Sequence, residues 1–167
     1  MASRTRSGST RSGGGRTTDG GSPERRAVVP PLMKPLPEAV KEVIAAARVC
    51  RIASVRPDGT PHVIPVCPAF DGDATLYVDL ASRGVSAAAF RSNPNITVLI
   101  DEYDDDWSKL QAVILRCRAE ELAGEELERA WVLLREKYPQ GELIAWSARL
   151  TLALRIGGWT EWGIGEP

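Results

Sequence analysis

The chain has a single histidine, His62, inside an apolar run, TPHVIPV. It is the one side chain whose ordinary pKa lies near neutrality. With one histidine no Ser-His-Asp arrangement can be assembled from the sequence, which disfavours hydrolase chemistry. Cys50, Cys67 and Cys117 are widely spaced and show no CxxC pattern. An odd number of cysteines in apolar stretches reads as buried reduced thiols, not as a disulfide framework or a zinc site. DEYDDDWSKL gathers Asp101, Glu102, Asp104, Asp105 and Asp106. A hard cation takes oxygen ligands, but the glycine and closing glutamate of an EF-hand loop are missing, so these acids read as solvated. Ser82, Arg83 and Gly84 precede an expected helix start, good chemistry for an anion. Alone, Arg83 and Arg91 read as surface charge.

These groups must be positioned by elements that the apolar pattern outlines. PEAVKEVIAAAR places Val40, Val43, Ile44 and Ala47 at helical spacing behind Pro37, predicting a helix over 37–47. RIASVRPDGTPHVIPV sets two apolar runs about Pro57-Asp58-Gly59, in which proline fixes φ and glycine accepts a positive one. Strands are therefore expected over 48–56 and 60–70, with Arg51, Ala53 and Val55 on one face and Ile52, Ser54 and Arg56 on the other. Asp71-Gly72-Asp73 turns the chain into a strand at 74–79. A short helix capped by Ser82 runs to Arg91 and ends at Asn93-Pro94. NITVLID at 95–101 and LQAVILRCRAEEL at 110–122 read as strands. The strongest helix follows Gly124, with Leu127, Ala130, Trp131 and Leu134 on one face. ARLTLALRI at 148–156 alternates Leu150, Leu152 and Leu154 with Arg149, Thr151 and Arg155, a final strand before the tail GGWTEWGIGEP. Trp159 and Trp162 in that tail are expected to cap the barrel or to meet a partner subunit. Six strands with short turns, the first three a meander, favour an antiparallel sheet curled into a small barrel. No GxGxxG and no strand–helix alternation point to a dinucleotide fold.

The 167 residues fit one domain and a tail. Six arginines against Asp19 and Glu24 give residues 1–28 a charge of +4, so the rest of the chain, at a total of −1, carries −5. That first segment is Gly, Ser, Thr and Arg with little to bury, so residues 1–36 are expected to be a disordered basic tail and 37–167 the folded domain. The tail reads as a solvated extension. An arm that touches nucleic acid or an acidic partner is the other reading, and the only route by which nucleic acid enters as a partner. No apolar stretch reaches the roughly 18 residues of a membrane span, and no apolar segment follows the charged N-terminus. A cytoplasmic protein without a membrane partner is the expectation.

The words RIASVRPDGTPHVIPV, FDGDATLYVD, SRG…RSNPNITVLID, DEYDDDWSKL, LREKYP and LTLALRIGGWTEWGI, in this order over residues 37–164, resemble the pyridoxamine 5'-phosphate oxidase-like split β-barrel family. Within it the chain is similar to the branch that uses a deazaflavin or flavin. The resemblance implies a mainly β fold with flanking helices, a six-stranded antiparallel split barrel. It also implies a homodimer with cofactor sites in the clefts between subunits. The implied cofactor is coenzyme F420 or FMN, with haem in a few relatives. The implied reaction passes a hydride between that cofactor and a small conjugated substrate.

Carried over position by position, the resemblance puts Ser54, Val55 and Arg56 of the first strand and His62, Pro65 and Val66 of the second beside the cofactor ring. His62 would pack or hydrogen-bond there and not act as a proton donor, so no catalytic side chain is assigned. Ser82, Arg83, Ser86 and Arg91 fall at the phosphate end. There the sequence departs from the family, which usually has Lys or Arg about eight residues before the Asn-Pro; here that position is Ser86, and Arg83 or Arg91 would substitute. Trp107 is placed at the cleft or partner subunit and Trp159 at the cofactor of the other chain. The alternative is a non-catalytic flavin- or haem-binding protein of the same fold with a degenerate phosphate site.

Overall fold

The computed structural model describes residues 34–143 and 149–164. The basic tail to residue 33, expected to be disordered, lies outside the described residues. Three helices, α1 (Glu38–Ala46), α2 (Val85–Ser92) and α3 (Gly124–Lys137), accompany seven strands. These are β1 (Cys50–Val55), β2 (Pro61–Val66), β3 (Ala69–Phe70), β4 (Thr75–Ala81), β5 (Asn95–Glu102), β6 (Gln111–Glu121) and β7 (Arg149–Trp162). Every pairing is antiparallel, in the order β2-β1-β5-β6-β7-β4-β3.

That order proves closure. β2 and β3 stand at opposite ends of the sheet, yet only Cys67 and Pro68 lie between them. Seven flat strands spaced about 4.8 Å apart would put the ends roughly 29 Å apart. Two linking residues reach only about 11 Å. The sheet must curl until its ends meet, which also removes most exposed edges. Tyr138, at the end of α3, fastens this seam: its hydroxyl lies 2.9 Å from the Pro68 carbonyl oxygen and 3.0 Å from that of Arg48.

The expected strand over 60–70 is therefore two strands, because Pro68 has no N–H to donate and the chain must turn from one end of the sheet to the other. The expected three-strand meander is corrected with it: β4 pairs with β3 and β7, not with β2. The supposed tail is also strand, since Gly158 to Trp162 continue β7 against β6 after a bulge at Gly157. Ser82 does not cap α2. Gly84 does, at φ +137, with no side-chain bond at the helix start. Leu36, read as part of the tail, is buried in the core.

Inside the barrel, Ile52, Leu76, Val78, Val98, Val113, Leu115 and Leu154 form one cluster with Val40 and Ile44 of α1 and Phe90 of α2. α3 packs outside, where Ala130 meets Tyr77 and Ala153. Cys50 and Cys117 are buried thiols, and burial pushes both up to about 12. Cys67, expected to be buried as well, is exposed on the link between β2 and β3. No helix among the described residues is long and apolar enough to cross a membrane.

Candidate functional site

α3 shields the outer face over β3, β4 and β7. Elsewhere the outward residues of the sheet are left bare. β1 alternates strictly, with Cys50, Ile52 and Ser54 buried and Arg51, Ala53 and Val55 exposed. Register carries this outer face to Pro61, Val63 and Pro65 on β2, and to Thr97 and Leu99 on β5. From β5 it passes to Ile114 and Arg116 on β6.

A groove of about 570 Å³ crosses this face, within the usual range for a small-molecule site. Ala53, Val55, Pro61 and Ile96 supply apolar wall, and Thr97, Asn95, Arg116 and Arg118 supply polar groups. Two arginines and no carboxylate line it, so it favours an anionic ligand. Its floor includes Gly157, the extra residue of a β-bulge: Arg116 pairs with Gly158 and Cys117 with Ile156, which leaves Gly157 without a partner on β6. Gly158, the partner of Arg116 on β7, lies close under that side chain. A Cβ on it would come 3.1 Å from the Arg116 guanidinium, which lies against the bare backbone and donates to Thr160 Oγ1 and the Trp159 carbonyl.

Of the residues proposed from sequence, Ser54 and Val55 line the groove. His62 and Ser86 meet at a second point, His62 Nε2 lying 3.0 Å from Ser86 Oγ, and Ser54 Oγ donates to the His62 carbonyl at 3.4 Å. This chain of contacts runs from the groove strand through β2 to the first turn of α2. Arg56 follows β1 directly; its Nε is buried without a hydrogen-bond partner, an orphan donor of the kind a ligand satisfies. Pro65 lies on the bare outer face, opposite Arg51.

The others stand elsewhere. Val66 is buried in the barrel core opposite Cys50. Arg91 donates to the Ser82 carbonyl and pairs with Glu121. Arg83 is exposed beside Ser82 in the link before α2. Trp107 is 75% exposed in a 3-10 turn organised by Asp106, whose carboxylate accepts from the backbone N–H and hydroxyl of Ser108. Trp159 points inward, packs on the core and donates its indole N–H to the Lys34 carbonyl at 3.2 Å, while the Lys34 ammonium lies over the ring. It caps the barrel of its own chain and is not in the groove.

Sequence reasoning missed Thr97, Asn95, Arg116, Arg118 and Gly157. The signal for the arginines was present. In LQAVILRCRAEEL a period of two puts Ile114, Arg116 and Arg118 on one face and Leu115, Cys117 and Ala119 on the other, as the burial of β6 now shows.

The fold is thus a closed antiparallel barrel with a cationic, apolar-walled groove on its bare outer face. The chain belongs to the pyridoxamine 5'-phosphate oxidase family, whose model matches residues 36–162. Among solved structures it is similar to a FAD-binding protein from Mesorhizobium loti, at 30% identity over 77% of this chain and 95% of that one, with a TM-score of 0.61. A structure described as an F420 reductase is 21% identical, with 75% of this chain and 98% of that one covered and a TM-score of 0.61. The haem-binding protein of Mycobacterium smegmatis is 19% identical, with 79% of this chain covered and a TM-score of 0.67; this chain spans only 57% of that protein's length. Comparison with curated proteins finds no match.

Proposed function

We propose that this protein is an oxidoreductase that holds a deazaflavin or flavin in the groove of β1, β5, β6 and β7 and exchanges a hydride with a small conjugated substrate. The observation that carries the reading is the groove itself, whose apolar wall suits a flat ring and whose arginines suit a phosphate. The residues present therefore fit a phosphate-bearing ring cofactor, whose own chemistry is hydride transfer. Ala53 and Val55 would lie against the ring and exclude water. Strand backbone at Ser54 and Val55 would meet its polar edge, and the single histidine, bound to Ser86, would brace β2 against α2. No side chain of the groove is asked to move a proton.

Binding is tested by fluorescence titration of the purified protein with FMN, the deazaflavin coenzyme and haem in parallel. Saturable binding of FMN or the deazaflavin at about micromolar concentration or tighter is expected. A second reading, non-catalytic holding of flavin or haem, is favoured by Ser86, which by the resemblance stands where the family usually has Lys or Arg. Binding of haem alone, or flavin binding that appears only in Ser86→Lys, would establish that second reading.

The same outer face motivates a homodimer as a further part of the proposal. Val63 is 60% exposed and Val55 38% exposed on a sheet face that no helix covers. A second copy seated there would bury them and close the open side of the groove. Val63→Glu is expected to weaken self-association at least about tenfold, because a carboxylate would be buried without a partner. Sedimentation of the two forms over a concentration series reads this; equal association constants would reject the face as the dimer contact.

A further inference from the structure

We infer that Arg118, with Arg116 beside it, is the oxyanion receptor of the groove, taking the phosphate of its ligand in place of the missing cation at position 86; this rests on the groove being the cofactor site. Arg118 is half-buried in the groove wall, and its side chain has no hydrogen-bond or ionic partner among the described residues. The reason lies in its neighbours. Directly across the β6–β7 ladder stands Arg155, a like charge. Arg155 takes both nearby carboxylates, Glu120 at 3.0 Å and Glu126 at 2.8 Å. Like charges directly opposite on a sheet repel unless each finds a counter-ion. One has two and the other has none, so the groove keeps an uncompensated guanidinium.

Arg116 extends the site. It lies two residues along the same strand on the same side, about 7 Å away at Cα. Its bonds to Thr160 and the Trp159 carbonyl are long, 3.3 and 3.4 Å, so the fork is positioned but lightly held. Two guanidinium groups at that spacing can close about one phosphate through charge-assisted bonds. The cations expected from sequence serve less well. Arg83 is exposed in the link before α2 and is not among the groove-lining residues, and Arg91, also outside that lining, is engaged by the Ser82 carbonyl and Glu121.

The test compares each coenzyme with its phosphate-free counterpart, FMN against riboflavin and the deazaflavin coenzyme against its phosphate-free chromophore, in wild type, Arg118→Met and Arg118→Lys. Methionine keeps the stem, and with no partner lost the melting temperature should stay within a degree or two of wild type, about the scale of a neutral surface change. Wild type is expected to bind the phosphate form at least about tenfold more tightly, a preference that Arg118→Met abolishes and Arg118→Lys keeps in part. An unchanged preference in Arg118→Met would overturn the inference while leaving the cofactor reading intact. If no ring compound binds wild type, inorganic pyrophosphate separates the two ideas. A rise in wild-type melting temperature that Arg118→Met lacks supports the anion site and removes the cofactor. No rise overturns both.

Discussion

Replacing Gly163 by alanine should lower the unfolding free energy by about 3 kcal/mol, more than any single surface change in the barrel. Gly163 follows the last residue of β7 at φ +71, in the left-handed region, and a Cβ built on it overlaps the backbone carbonyl oxygen of Leu110. A flexible side chain could swing away from such a clash, but a carbonyl at the start of β6 cannot move without carrying the strand. The pair Ala112–Trp162 would be forced apart, and the loosened end would extend towards Thr160, which steadies Arg116. Gly59→Ala is the control. It has a similar φ of +83, but nothing lies within 4 Å of its would-be Cβ. It should cost only about 1 kcal/mol, the conformational part alone. Urea midpoints of the three proteins, at constant slope, read the difference. Equal losses in the two variants would mean that the approach of Leu110 carries no constraint.

Arg155→Met should cost about 1–2 kcal/mol at neutral pH, because it removes the shared partner of two part-exposed carboxylates. Arg155 binds Glu120 and Glu126 and reaches Thr75 Oγ1 at 3.4 Å, while Glu126 also accepts from the Tyr77 hydroxyl at 3.1 Å. This network holds α3 to β4 and β7. Arg155 holds the Glu126 carboxyl below its ordinary value of 4.5. A carboxylate depressed in the folded state contributes stability above its unfolded pKa and loses it as the pH falls through the folded one. In Arg155→Met the share that Arg155 supplies, the largest, is absent at any pH, while the Tyr77 hydroxyl still donates to the carboxylate. The stability gap between wild type and variant should therefore be widest near neutrality and should narrow progressively below about pH 4.5. Chemical denaturation across pH 3–7 checks it, and a gap independent of pH would show that the loss is packing of the arginine stem alone.

Much of this was legible because its causes are local. The Pro57-Asp58-Gly59 turn joins β1 to β2, and Gly59 has the positive φ that the turn needs. The apolar face of α3, the β-branched run of β5 and the alternation of β6 all mark elements that formed. What failed did so where glycine hides a strand. Gly157 and Gly158 have low strand propensity and no side chain to show a period, so the end of β7 read as a tail. Pro68 misled in the opposite way, since an apolar run continued across it while the backbone turned from one end of the sheet to the other.

The sequence by itself determined most of the elements, the antiparallel class and the family resemblance that the match over residues 36–162 bears out. Periodicity, turn residues and family words are all written within short stretches of chain. The tertiary structure alone decided which residues face one another. By strict alternation from Leu150, Leu152 and Leu154, Trp159 would point outward; the extra residue Gly157 inverts every position after it, turning Trp159 into the core and Gly158 to the groove. The same register sets Arg118 opposite Arg155 and gives both carboxylates to one of them. Pairing between distant strands is a property of the closed barrel, so the charge left in the groove could be counted from the sequence but not located in it.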